Sequence, residues 1–156
     1  MAEKIKVAID TTIVLQAALN PSGFSGAILN LIESRIIELF TSSKLKEEYR
    51  DILFRPSVRK PNSRLTDDIA EEILGKIDVI ANHFNFIPSS VQYERDPNDE
   101  PSLNLSIAVK ADFLIAWDRD LRDLASERDF NLLYPFLKIV SPQEFIAIVS
   151  ERIPFQ

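Results

Sequence analysis

Four acids lie far apart along this chain: Asp10, Glu48, Asp99 and Asp118. Asp10 closes the apolar run Val7-Ala8-Ile9, and Asp118 closes "DFLIAW", so both stand at the carboxyl ends of expected strands. Parallel α/β sheets place their ligand sites beyond those ends. Asp99 falls at or just before an expected helix start, and Glu48 lies in a helix whose apolar face must meet the sheet. Brought together, three or four carboxylates repel one another and raise each other's pKa values. A divalent cation relieves that repulsion, and Mg²⁺ or Mn²⁺ prefers such hard oxygen ligands. A centre of this kind activates water, polarises a phosphate and stabilises charge on a leaving oxygen, so phosphodiester hydrolysis is its natural use.

The elements that must position these acids show as alternating periodicities. "IKVAID" (5–10) reads as a strand, followed by a helical segment and a turn or loop over "NPSG" (20–23). "GAILNLIESR" has helical spacing, "IIELFTS" (36–42) is a second strand, and "SSKLKEEYRDILF" is a helix with Ser42 or Ser43 as N-cap. "RPSVRKPNSR" breaks the pattern with two prolines and concentrated positive charge. "LTDDIAEEILGKIDVIANHF" predicts a long amphipathic helix with apolar residues at 69, 73, 74, 77 and 80, and "NFIPS" a short strand or extended link. "RDPNDEPSLNLSIAVKA" opens acidic and turns helical, offering Leu103, Leu105, Ile107 and Ala108 for packing. "DFLIAWD" is a strand, "RDLRDLASE" a short helix, "FLKIVS" the last strand and "SPQEFIAIVSER" a capped terminal helix. The alternation predicts an α/β three-layer sandwich, a mostly parallel central sheet flanked by helices, with residues 1–156 forming one domain.

Each acid also has a plainer role open to it. Asp10 can be a helix N-cap, and Asp118 and Asp120 in "WDRDL" can serve the next helix as cap and first-turn acid. Glu48 can belong to a solvated Lys/Glu face, and Asp96 and Asp99 in "RDPND" can be turn residues before a helix. Order and strand-end placement, rather than any one acid, carry the site. The composition narrows the alternatives: 156 residues, 46% hydrophobic and 27% charged, describe a soluble globular chain with no leader and no apolar run able to span a membrane. The absence of cysteine excludes disulfides, thiolate nucleophiles and thiolate zinc sites. The lone His83 cannot build a multi-histidine metal site, and its place after a helical pattern suits a C-terminal cap or a surface position. A net charge of −6 argues against loose adhesion to nucleic acid or anionic membrane, though not against a nucleic-acid enzyme whose acids are neutralised by cations.

Across nearly its whole length the chain resembles the PIN-domain ribonucleases, especially the VapC-like group of toxin components of toxin–antitoxin systems. "VAIDTTIVLQAALNPSG" is similar to that group's opening Asp-Thr-Asn motif and loop, and "SKLKEEYRDILFRP" to its second acidic helix. "RDPNDEPSLNLSIAVKADFLIAWDRDL" resembles its third block and "IVSPQEF" its ending. The resemblance carries the catalytic acids onto Asp10, Glu48, Asp99 and Asp118, with Asp120 as a supporting acid. It implies a cytoplasmic Mg²⁺- or Mn²⁺-dependent endoribonuclease leaving 5′-phosphate and 3′-hydroxyl ends, a homodimer, and an antitoxin protein as partner.

The departures fall beside the acids. Thr12 stands where relatives carry Asn, and a hydroxyl cannot present an amide's two donors. Ala116 and Trp117 replace a Thr or Ser and a Gly before Asp118, with Trp117 expected to pack against a neighbouring helix or to alter substrate entry. These changes motivate a second reading, a catalytically impaired PIN-fold module that binds RNA or protein. For substrate, Lys44, Lys46, Arg50, Arg55, Arg59, Lys60 and Arg64 form the richest positive stretch and can make a phosphate track or a solvated face. A receiver domain or a haloacid-dehalogenase-like phosphatase fits less well, since the latter requires an Asp where this chain has Thr12.

Overall fold

Strand and helix alternate from end to end in the computed structural model, which describes residues 3–91 and 100–152. The described elements are β1 (Ile5–Ile9), α1 (Thr11–Leu19), α2 (Phe24–Glu33), β2 (Ile37–Ser42), α3 (Ser43–Phe54), α4 (Pro56–Arg59), α5 (Asp67–Ile80), β3 (Asn82–Phe84), α6 (Glu100–Ala108), β4 (Phe113–Ile115), α7 (Arg119–Leu124), α8 (Arg128–Leu133), β5 (Lys138–Val140) and α9 (Pro142–Arg152). They build a five-stranded sheet in the order β3-β2-β1-β4-β5, with every neighbouring pair parallel. Helices flank the sheet, as the alternation predicts.

Strand β1 takes the centre. Val7, Ala8 and Ile9 of β1 are fully buried, because a parallel strand covered on both faces has no solvent side to which a polar residue can turn. Helix α6 packs on β1, β2 and β4, while α1, α2, α3 and α5 pack among themselves and α9 packs on α2. Phe145 of α9 meets Phe113 of β4 edge-on, with ring centroids 5.3 Å apart. Leu45, Tyr49 and Leu53, spaced four apart, form the buried stripe of α3.

Caps fix where several helices begin. Ser42 is at once the last residue of β2 and the N-cap of α3, its Oγ accepting from the Leu45 N–H at 3.1 Å, so strand passes into helix without a loop. Thr66 caps α5 through the Ile69 N–H, and Ser141 and Glu144 form a reciprocal capping box at α9, with bonds of 3.1 and 3.4 Å.

Three local expectations are corrected. The stretch at 55–64 contains the short helix α4, since a proline at the first helical position starts a helix as readily as it breaks one. Strand β3 begins at Asn82, earlier than "NFIPS", and takes His83 with it. His83 is therefore an exposed strand residue, which meets the surface position expected for it and not the helix cap. Pairing with β2 and the Asn82 Nδ2 bond to the Leu39 carbonyl at 3.2 Å override the helical pattern there. Helix α8 was not expected, because its buried side is Phe130 alone while Leu132 and Leu133 face solvent. Trp117 is 37% exposed.

Gly75 lies inside α5, and a Cβ added there meets nothing within 4 Å. Gly75→Ala is therefore expected to stabilise the fold by about 0.5–1 kcal/mol by removing backbone freedom from the unfolded chain. Urea melts of the two proteins check this; a lower midpoint for the variant contradicts it.

Candidate active site

Asp10 follows β1 directly and is 3% exposed. Its N–H donates to the Ile115 carbonyl at 3.0 Å, fastening the end of β1 to β4, and its carbonyl accepts from the Ile13 N–H at 3.0 Å. It occupies the N-cap position of α1, yet its carboxylate makes no capping bond to that helix. The Thr11 hydroxyl donates to Asp10 Oδ1 at 3.4 Å. Burying a carboxylate is costly unless something compensates it, so a buried acid that does not cap its own helix fits a site better than a turn.

Glu48 is partly buried on α3. The next residue, Tyr49, is fully buried and donates its hydroxyl to the Ile9 carbonyl at 2.6 Å, joining the Glu48 helix to the strand end that carries Asp10. Burial pushes the Tyr49 phenol well above its ordinary value; the Asp10 charge adds to this, the Thr41 hydroxyl opposes it, and the Glu48 charge adds again. Both carboxylates thus act on one hydroxyl. Sequence reasoning did not single out Tyr49. The available signal was its chemistry, since a tyrosine on an otherwise leucine stripe must find a partner for its hydroxyl.

Asp118 lies at the same sheet edge as Asp10, three residues beyond Ile115, whose register partner is Ile9. It is the N-cap of α7, its Oδ1 accepting from the Asp120 N–H at 2.9 Å, and Asp120 is the exposed first-turn acid of that helix. Ala116, behind it, is fully buried. Asp96 and Asp99 lie outside the described residues. The segment leading to them is anchored by Asn104 of α6, a buried side chain that Leu-based packing did not reveal. Its Oδ1 accepts from the Ser90 and Val91 N–H groups at 2.9 and 2.8 Å.

The Tyr49 hydroxyl thus ties the helix that carries Glu48 to the strand end that carries Asp10, and Asp118 caps α7 beyond the end of the neighbouring strand. Among the described residues no group of three or more acids or histidines forms a metal cluster. Two observations nonetheless fit a hard cation. The acids on the elements at this end of the sheet offer only oxygen donors, and the Thr12 Oγ1 in the first turn of α1 is buried with no hydrogen-bond partner among the described residues.

The positive stretch is largely committed. Lys46 pairs with Asp78 at 2.6 Å, Arg50 reaches both oxygens of Glu71 at 2.8 and 3.1 Å, Arg55 pairs with Asp51, and Arg59 pairs with Asp67. Arg50 in turn holds the Glu71 carboxyl below its ordinary range. Arg59 also stacks its guanidinium over the Phe54 ring and bonds the Leu53 carbonyl. Lys44, Lys60 and Arg64 are exposed.

A family model described as "PIN domain" matches residues 6–120. An uncharacterized protein of Methanocaldococcus jannaschii is 31% identical over 150 residues, spanning 92% of this chain and 90% of that protein.

Proposed function

The chain belongs to the PIN-domain family, a nuclease-type fold, and on that footing we propose that it is a Mg²⁺- or Mn²⁺-dependent endoribonuclease that hydrolyses RNA phosphodiester bonds as the toxin of a toxin–antitoxin pair. The observation that carries the reading is the buried Asp10, whose carboxylate does not cap its helix, with the Glu48 helix tied to the same strand end through Tyr49. Asp10, Asp99 and Asp118 hold the cation, and Glu48 holds it directly or through water, or orients the attacking water. When bound, the cation supplies charge neutralisation for the scissile phosphate and the leaving oxygen.

The protein's own groups do the rest. The bond from the Asp10 N–H to Ile115 and the rigid end of β1 set the direction of attack. Thr12 offers its hydroxyl to the site, and Asp120 and Asp96 support it. The exposed Lys44, Lys60 and Arg64 take RNA phosphates. Lys46, Arg50, Arg55 and Arg59 do so only by exchanging their present carboxylate partners for phosphate, which positions RNA without reading sequence. An antitoxin protein, a second copy of the chain and a cytoplasmic setting follow from the resemblance of the motif blocks. Among the described residues no helix is long and apolar enough to cross a membrane.

The test is cleavage of single-stranded RNA by the purified protein across a Mn²⁺ titration, with excess EDTA as control. Fragments that appear with Mn²⁺ and vanish with EDTA are expected. RNA retained without fragments at saturating Mn²⁺ supports the other reading, an impaired binding module, which the cap role of Asp118 and the exposed ring of Trp117 favour.

A further inference from the structure

We propose that Tyr49 is a positioning residue for the cation site: by holding the Ile9 carbonyl, its buried hydroxyl fixes the peptide that carries Asp10 and ties it to the turn of α3 that carries Glu48. This rests on the reading above. The sheet itself leaves a gap at this point. On the β4 side, β1 is in register as far as Ile9↔Ile115, but on the β2 side the register runs only to Val7↔Leu39. The chain of β2 then continues to Ser42 and turns into α3. The Tyr49 hydroxyl reaches back across a 40-residue separation and takes the Ile9 carbonyl at 2.6 Å.

The phenol cannot wander. Its ring is fully buried, and Leu45 and Leu53, one turn before and after it, are fully buried too. Since Glu48 precedes Tyr49 and Asp10 follows Ile9, one hydrogen bond sets the position of one carboxylate against the other. Without it, the peptide between Ile9 and Asp10 gains rotational freedom and Ile9 keeps a buried acceptor with no donor. The two carboxylates then have to be ordered by the cation itself, which weakens binding.

The test is Tyr49→Phe, which keeps the ring that fills the core and removes only the hydroxyl. Melting in EDTA shows that the variant is folded, and calorimetric titration with Mn²⁺ then reads the site without reference to catalysis. Mn²⁺ affinity is expected to fall about 10-fold, as outer partners of metal ligands typically cost when removed. Cleavage is expected to fall with it and to recover in part as Mn²⁺ is raised. A variant that melts lower but binds Mn²⁺ as tightly as the parent overturns the proposal, because the hydroxyl then serves the core alone. Asp10→Asn separates this failure from that of the underlying reading. If it loses Mn²⁺ binding while Tyr49→Phe keeps it, only the role of Tyr49 is wrong; if Asp10→Asn also keeps it, the cation site is wrong.

Discussion

Asp10→Asn is expected to cut Mn²⁺-dependent RNA cleavage by at least about 10³-fold while the protein stays folded. The two halves of that expectation have separate grounds. Chemically, asparagine keeps the shape of the side chain and removes the charge that would attract a cation. Structurally, the backbone fastenings survive the change: β1 is held to β4 by the Asp10 backbone N–H, and α1 begins without a cap from the Asp10 side chain. Asparagine also keeps a side-chain oxygen able to accept from the Thr11 hydroxyl, as Asp10 Oδ1 does. Initial rates across a Mn²⁺ titration, paired with thermal melts in EDTA, measure both halves. Undiminished cleavage by a pure variant removes Asp10 from the site.

Gly26→Ala is expected to be the most damaging conservative change to the fold. A Cβ on Gly26 of α2 would lie 2.0 Å from the Pro21 carbonyl oxygen, 2.5 Å from its carbon and 2.9 Å from its Cα. These are backbone atoms of the turn between α1 and α2, and they cannot swing aside as a side chain would. Helix α2 must back away from the turn, loosening its packing on α1, α9 and β2 together. Alanine's better helix propensity, about 1 kcal/mol, works in the opposite direction and is outweighed. A net loss of about 3 kcal/mol is expected, lowering the melting temperature by about 6–12 °C for a chain of this size. A urea midpoint that falls with an unchanged slope places the loss in the native state. A variant as stable as the parent shows that the turn moves freely.

Much of this molecule was legible in its sequence, and the exceptions share a cause. The strands showed because their apolar runs end abruptly in acids or caps, as at Ile9-Asp10 and at Ser42. The terminal capping box showed because Ser141 and Glu144 are local partners. What stayed hidden depends on partners distant in sequence. Arg50 and Lys46 look like free cations until α5 brings Glu71 and Asp78 against them, across separations of 21 and 32 residues. His83 looks helical until β2 claims it as an edge-strand residue, where its Nε2 meets Ser43 Oγ at 3.1 Å. Asn104 and Tyr49 were read past because a helix stripe is counted by its apolar members, whereas their polar atoms bond chain 13 to 40 residues away. At the acids themselves, sequence order brought Asp10, Glu48 and Asp118 to one end of the sheet, but it could not tell which carboxylate would be taken up in capping.

The loop-free passage from β2 into α3 also governs how this chain can vary between lineages. Because Ser42 belongs to both elements, one residue inserted or lost between the strand and Glu48 turns that acid by about 100° around the helix axis and moves it about 1.5 Å along it. No neighbouring segment can absorb the error. Length changes are therefore barred at this seam and steered into the 55–66 connection, so related chains should keep the interval from the end of β2 to the acid constant while that connection grows and shrinks.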